Sequence, residues 1–101
     1  MIKHIVVIKL KDSANGKSKA DNAAELKIRL LGLKDKIKEI LEIEVGIKSD
    51  KAPDTNYDII LTTKFNGFDE LDIYRVHPEH VKVVEFIGEI SNERVAIDYD
   101  V

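Results

Sequence analysis

An α+β domain of β-α-β-β-α-β order, the ferredoxin-like sandwich, is what this sequence predicts, and three observations predict it. Four segments, at residues 2–10, 41–48, 57–65 and 94–101, alternate apolar and polar residues with a period of two. Segments with helical spacing separate the first strand from the second and the third from the fourth, whereas only a polar loop joins the second to the third. Each strand alternates rather than running continuously apolar. That fits an antiparallel sheet covered by helices on one face and argues against a doubly wound parallel sheet.

The first strand carries Ile2, His4, Val6, Ile8 and Leu10 on one side and Lys3, Ile5, Val7 and Lys9 on the other. Asp12-Ser13-Ala14-Asn15-Gly16 has the residues of a turn and reads as a loop. From about Ser18, Ala20, Ala23, Ala24, Leu26, Ile28, Leu30 and Leu31 recur among charges at helical spacing. Gly32 reads as the stop, with a shorter helical turn over 33–37. Leu41, Ile43, Val45 and Ile47 alternate with Glu42, Glu44, Gly46 and Lys48 in a half-buried second strand, and a polar loop containing Pro53 follows. Tyr57, Ile59, Leu61, Thr63 and Phe65 make the inward side of the third strand, which Asn66-Gly67 closes. Phe68, Leu71 and Tyr74, spaced by three, give a short helix to about Arg75, and Pro78 opens another to about Ile90. In the last strand, from Arg94, the apolar set Val95, Ile97, Tyr99 and Val101 is expected to face inward.

The chain of 101 residues is one domain, with 44% hydrophobic and 35% charged residues, an ordinary balance for a soluble globular protein. Sixteen Lys and Arg against nineteen Asp and Glu leave a formal charge of −3, without the basic excess of a nucleic-acid binder. The absence of cysteine excludes disulfides, thiolate metal sites and thiol catalysis. The N-terminal MIKHIVVIKLKD is interrupted by lysines and has no small-residue cleavage site, so it reads as a strand and not a signal peptide. No stretch approaches the roughly 18 apolar residues that span a bilayer. The expectation is a cytoplasmic domain with no membrane partner and no cofactor.

The outward residues of the strands form a second face. Ile5, Val7, Ile60 and Ala96 make a small apolar centre on it, within a rim of lysines, Arg94 and carboxylates that include Asp58 and Asp98. That is the anatomy of an interface, and the alternative is a solvated face with weak cross-strand ion pairs.

YRVHPEHV, residues 74–81, concentrates two of the three histidines and one tyrosine around a proline. A metal site is disfavoured, because the residue before a proline is pushed out of helical geometry and His77 and His80 then share no continuous helix face. A structural reading makes His77 the N-cap of a helix begun by Pro78, with His80 on its core-facing stripe beside Val83, Val84, Ile87 and Ile90. A site reading brings His80, Tyr74 and His4 together between helices and sheet, otherwise lined by Val6, Ile8, Ile59, Leu61 and Val84. There a neutral imidazole takes a proton and a buried phenol donates a hydrogen bond to a substrate oxygen.

MIKHIVVIKLKD, LEIEVGI, YDIILTTKF, LDIYRVHPEHVKVVEFI and VAIDYDV, in that order, cover nearly the whole chain. Together they resemble the stress-responsive dimeric α/β-barrel (Dabb) family. The resemblance implies a homodimer whose sheets pack face to face through Ile5, Val7 and Ile60. A plant member closes the ring of a linear polyketide by aldol condensation. Its acid/base histidine and assisting tyrosine match His80 and Tyr74, its strand-one pocket histidine matches His4, and its histidine before proline matches His77. That enzyme lines its pocket with aromatics from the first long helix, where this chain has Ala23, Ala24, Leu26, Ile28 and Leu30, so its substrate is not carried over. The expected function is a homodimer with an apolar small-molecule pocket and cofactor-independent acid/base chemistry by His80 and Tyr74, with His4 and His77 holding the ligand. The alternative is a non-catalytic stress protein whose stable dimer is the functional unit. A monooxygenase of the kind found on other dimeric α/β barrels is disfavoured by the lack of tryptophan and of a cofactor signature.

Overall fold

The computed structural model describes all 101 residues. In chain order the elements are β1 (Ile2–Leu10), β2 (Ser13–Ala14), β3 (Lys17–Ser18), α1 (Lys19–Lys36), β4 (Glu42–Ile47), β5 (Ile59–Phe65), α2 (Phe68–Val76), α3 (Pro78–Ile90) and β6 (Ser91–Asp100). Strands β4, β5, β1 and β6 lie side by side in that order, every neighbouring pair antiparallel, and the three helices cover one face. This is the expected ferredoxin-like arrangement. Its core lies between sheet and helices, where Ile8, Leu26, Leu30, Phe65, Leu71 and Ile90 are completely enclosed.

The first helix is one unbroken element. Ser18 caps it, its Oγ accepting from the backbone N–H of Asp21 at 3.2 Å, and Lys34 and Lys36 occupy its last turn near the negative end of the dipole. Gly32 does not stop it. The stripe Ala23, Leu26, Leu30, Leu33, Ile37 continues through the glycine, and all five are buried. Burying Leu33 and Ile37 contributes about 1.5–3 kcal/mol each, more than the roughly 1 kcal/mol a mid-helix glycine costs. Segment 12–16 also departs from a plain loop. Asn15 and Gly16 both have positive φ, 54° and 74°, and join β2 to β3 in a tight hairpin. Ile28 and Phe68, expected on apolar stripes, are exposed.

The register reverses one sequence expectation. His4 pairs with Asp98, Val6 with Ala96 and Ile8 with Arg94. Directly opposed residues of an antiparallel pair share a face, so Arg94, Ala96 and Asp98 lie on the helix side of the sheet, Arg94 and Ala96 still exposed there, and Val95, Ile97 and Tyr99 lie on the open side. The open face consequently has one apolar row across the sheet, Gly46–Ile60–Val7–Val95, and beside it a mixed one, Glu44–Thr62–Ile5–Ile97. Ala96 is not part of its centre. Asp58 is not on its rim either. It is 4% exposed, accepts from the backbone N–H of Leu10 at 2.7 Å, and has the ammonium groups of Lys19 and Lys48 each 3.7 Å away. A carboxylate just ahead of β5 is thereby buried with its charge compensated, and it ties the end of β1 to the start of β5.

Candidate active-site cavity

The break at Pro78 has a division of labour between its two histidines. His77 is extended (φ −63°, ψ 132°), and its Nδ1 accepts from the backbone N–H of Glu79 at 3.1 Å, capping α3. His80, one turn on, donates from Nδ1–H to the carbonyl of Arg75 at 3.2 Å, satisfying an orphan acceptor at the end of α2. That donation fixes the neutral tautomer, with Nε2 as the ring nitrogen carrying the lone pair.

Between β1, β6 and the helices lies a cavity of about 330 Å³ lined by His4, Val6, Ile8, Leu30, Leu61, Tyr74, Arg75, His80, Val84, Ile87, Arg94, Val95 and Ala96. Seven residues expected at the site line it: His4, Tyr74, His80, Val6, Ile8, Leu61 and Val84. Two do not. His77 is occupied as the cap of α3, and Ile59, 2% exposed, is packed into the core. Tyr74 is wholly enclosed. Its ring lies 4.0 Å from that of His80, 5.0 Å from Phe65 and 6.2 Å, edge-on, from His4 (centroid distances). Its hydroxyl has no hydrogen-bond partner in the protein. Burial holds the phenol well above the ordinary tyrosine pKa, so it stays a hydrogen-bond donor at any physiological pH.

Burial also pushes the His80 imidazolium below its ordinary range. The hydrogen bond to the Arg75 carbonyl opposes this, and the charges of His4, Arg94 and His77 add to it. A neutral His80 with a free Nε2 lone pair, beside a protonated phenol, is a base next to a hydrogen-bond donor.

Residues that the sequence reading placed elsewhere complete the surroundings. His4 Nδ1–H donates to Asp98 Oδ1, and the other carboxylate oxygen of Asp98 accepts from Arg75 Nη2 at 2.8 Å. Arg75 in turn bonds Asp72 at 3.2 Å. Thr63 Oγ1 donates to the His4 carbonyl at 3.0 Å, fixing the strand beneath the imidazole. Asp98 thus sets the His4 tautomer with Nδ1 protonated and leaves its Nε2 without a protein partner. Asp98, Arg94 and Ala96 escaped the sequence reading because β6 was expected to face the other way. The signal that finds them is the pairing of β6 with β1, which places Asp98 opposite His4.

A family model described as the stress responsive A/B barrel domain matches residues 2–101. Among solved structures, a dimeric protein of unknown function and ferredoxin-like fold from Bacteroides fragilis is 32% identical, with a TM-score of 0.87 over 99% of this chain and 95% of that one. A dimeric ferredoxin-like protein of unknown function from Thermobifida fusca is 24% identical, with a TM-score of 0.84 over 99% of this chain and 90% of that one. The hydroxynitrile lyase of Passiflora edulis shares the fold at 14% identity, with a TM-score of 0.81 over 99% and 92% of the two chains. A search of curated proteins returned no match.

Proposed function

This chain belongs to the stress responsive A/B barrel (Dabb) family, and from that membership we propose that it is a homodimer whose protomers each bind an apolar small molecule and act on it by acid/base chemistry without a cofactor. The observation that carries the reading is Tyr74, a residue that lines the apolar cavity and whose hydroxyl is buried without a partner in the protein. Leaving such a group unsatisfied costs roughly 1–3 kcal/mol, and a ligand oxygen removes that cost. In this reading the Tyr74 O–H donates to a carbonyl or enolate oxygen, His80 Nε2 removes a proton from the adjacent carbon, and His4, held by Asp98, orients the ligand. The dimer joins two open sheet faces, with Ile5, Val7 and Ile60 at the contact and Val95 and Ile97 extending it. Dimeric relatives and the exposure of Val95 (47%) and Ile97 (60%) support that assignment.

Titration calorimetry with a neutral aryl ketone, 4-butylacetophenone, tests the pocket. The wild type should bind it. Tyr74→Phe should bind it more weakly while melting at the same or a higher temperature, because the hydroxyl it removes has no protein partner to lose. No binding by the wild type, combined with a lower melting temperature for His80→Ala, would leave the histidines as a structural network and the dimer itself as the functional unit.

A further inference from the structure

The charge distribution around this cavity specifies more than an apolar ligand. The protein carries a net charge of −3, yet the ionic side chains that line the cavity are two arginines, Arg75 and Arg94, and no carboxylate. Their situations differ. Arg75 is neutralised by Asp98 at 2.8 Å and Asp72 at 3.2 Å. The chain's remaining arginine, Arg29, is paired with Glu25 at 2.7 Å and stacked on Phe86. Arg94 alone among the three has neither an ion pair nor a hydrogen bond. It lies on the helix side of β6 opposite Ile8, four residues along the strand from Asp98. Those four residues span about 13 Å, and Val6, Ala96 and Ile87 are among the apolar residues that line the cavity with Arg94. Arg94 is among the residues that line the cavity, and it is itself exposed to solvent.

We propose that the ligand of this pocket is a monoanion, an apolar body bearing one carboxylate, with Arg94 as the residue that receives the carboxylate while the uncharged end lies against Tyr74 and His80. The inference rests on the pocket reading above and deepens it. A guanidinium offers a planar pair of N–H donors that match a carboxylate in bidentate fashion. One uncompensated cation calls for a ligand with a single negative charge. The apolar lining rejects a heavily charged one such as a nucleotide.

The experiment compares two ligands of the same shape, 4-butylbenzoate and the uncharged 4-butylacetophenone, by calorimetry on wild type, Arg94→Gln and Arg94→Lys at pH 7. The expected result is that wild type prefers the carboxylate roughly tenfold or more, and that Arg94→Gln loses this preference while its ketone affinity is unchanged. Arg94→Lys should keep part of the preference, since a lysine retains the charge without the planar fork. Raising the salt concentration should weaken carboxylate binding and leave ketone binding unaffected. If wild type binds the ketone as tightly as the carboxylate, or if Arg94→Gln affects both equally, the anion assignment is overturned and the pocket reading stands. If wild type binds neither, the pocket reading fails and the anion assignment fails with it.

Discussion

At the scale of single residues, the histidines of YRVHPEHV divide between architecture and chemistry according to which backbone group each one meets. His77 accepts from Glu79 and is used up as a cap, whereas His80 donates to Arg75 and keeps a free nitrogen at the cavity. The environment of His80 has a consequence for stability against pH. Its folded pKa lies below the unfolded value of about 6.5, so the unfolded chain takes up the proton first as pH falls. Stability is complete above the unfolded pKa and declines as pH drops from about 6.5 toward the folded value. Melting temperatures measured from pH 7.5 to 5 should therefore fall more steeply for wild type than for His80→Gln, and equal slopes would contradict the assigned environment. His80, Tyr74 and His4 were legible in the sequence because each lies on an apolar face of its own element. Asp98 was not, because a carboxylate among Ile97 and Tyr99 looks like the solvent side of a strand until its partner is known to be a histidine.

At the scale of elements, the sequence showed where strands and helices run better than which way they face. Gly32 is the instructive case in α1. Read locally it resembles a helix end, yet Leu30, Leu33 and Ile37 carry the buried stripe through it, and packing outweighs propensity. A Cβ built at Gly32 meets nothing within 4 Å. Gly32→Ala should stabilise the protein by about 0.5–1 kcal/mol, read as a rise in melting temperature of roughly 2–8 °C at fixed protein concentration. A lower melting temperature would mean that the helix needs the glycine for a reason its surroundings do not show. In β6 the period of two identified a strand correctly but said nothing of its inward side. The apolar set faces outward, and a sheet face of the kind proposed for the dimer contact can be as apolar as a core, so hydrophobicity alone cannot orient the strand. The hairpin of residues 13–18 was hidden for a simpler reason. Two-residue strands are too short to show any alternation, and only the Asn15-Gly16 pair announced it.

At the scale of the whole molecule, the open sheet face is the proposed dimer contact. In a two-fold dimer each substitution on that face occurs twice, and a buried charge without a partner costs about 3–5 kcal/mol. Val7→Glu, in the middle of the row Gly46–Ile60–Val7–Val95, should give a monomer by light scattering at micromolar concentration where wild type gives a dimer. A dimeric mass for the variant would move the interface elsewhere. Gly46 supports the same row, since a Cβ there would stand 3.1 Å from Ile60 Cγ2 and push that side chain out of line. The sheet is one layer thick, and β6 is one of its two edge strands. Arg94 and Ala96 line the cavity, while Ile97 and Tyr99, interleaved along the same strand, lie on the open face proposed for the second subunit. On the proposed reading, occupancy and association share one ribbon of backbone. By thermodynamic reciprocity, whatever factor a bound ligand applies to the dimer's dissociation constant, dimerisation applies to the ligand's. A mutational scan of β6 should then resolve into two interdigitated spectra, one altering what is bound and the other altering whether the protein binds itself, alternating residue by residue along a single strand.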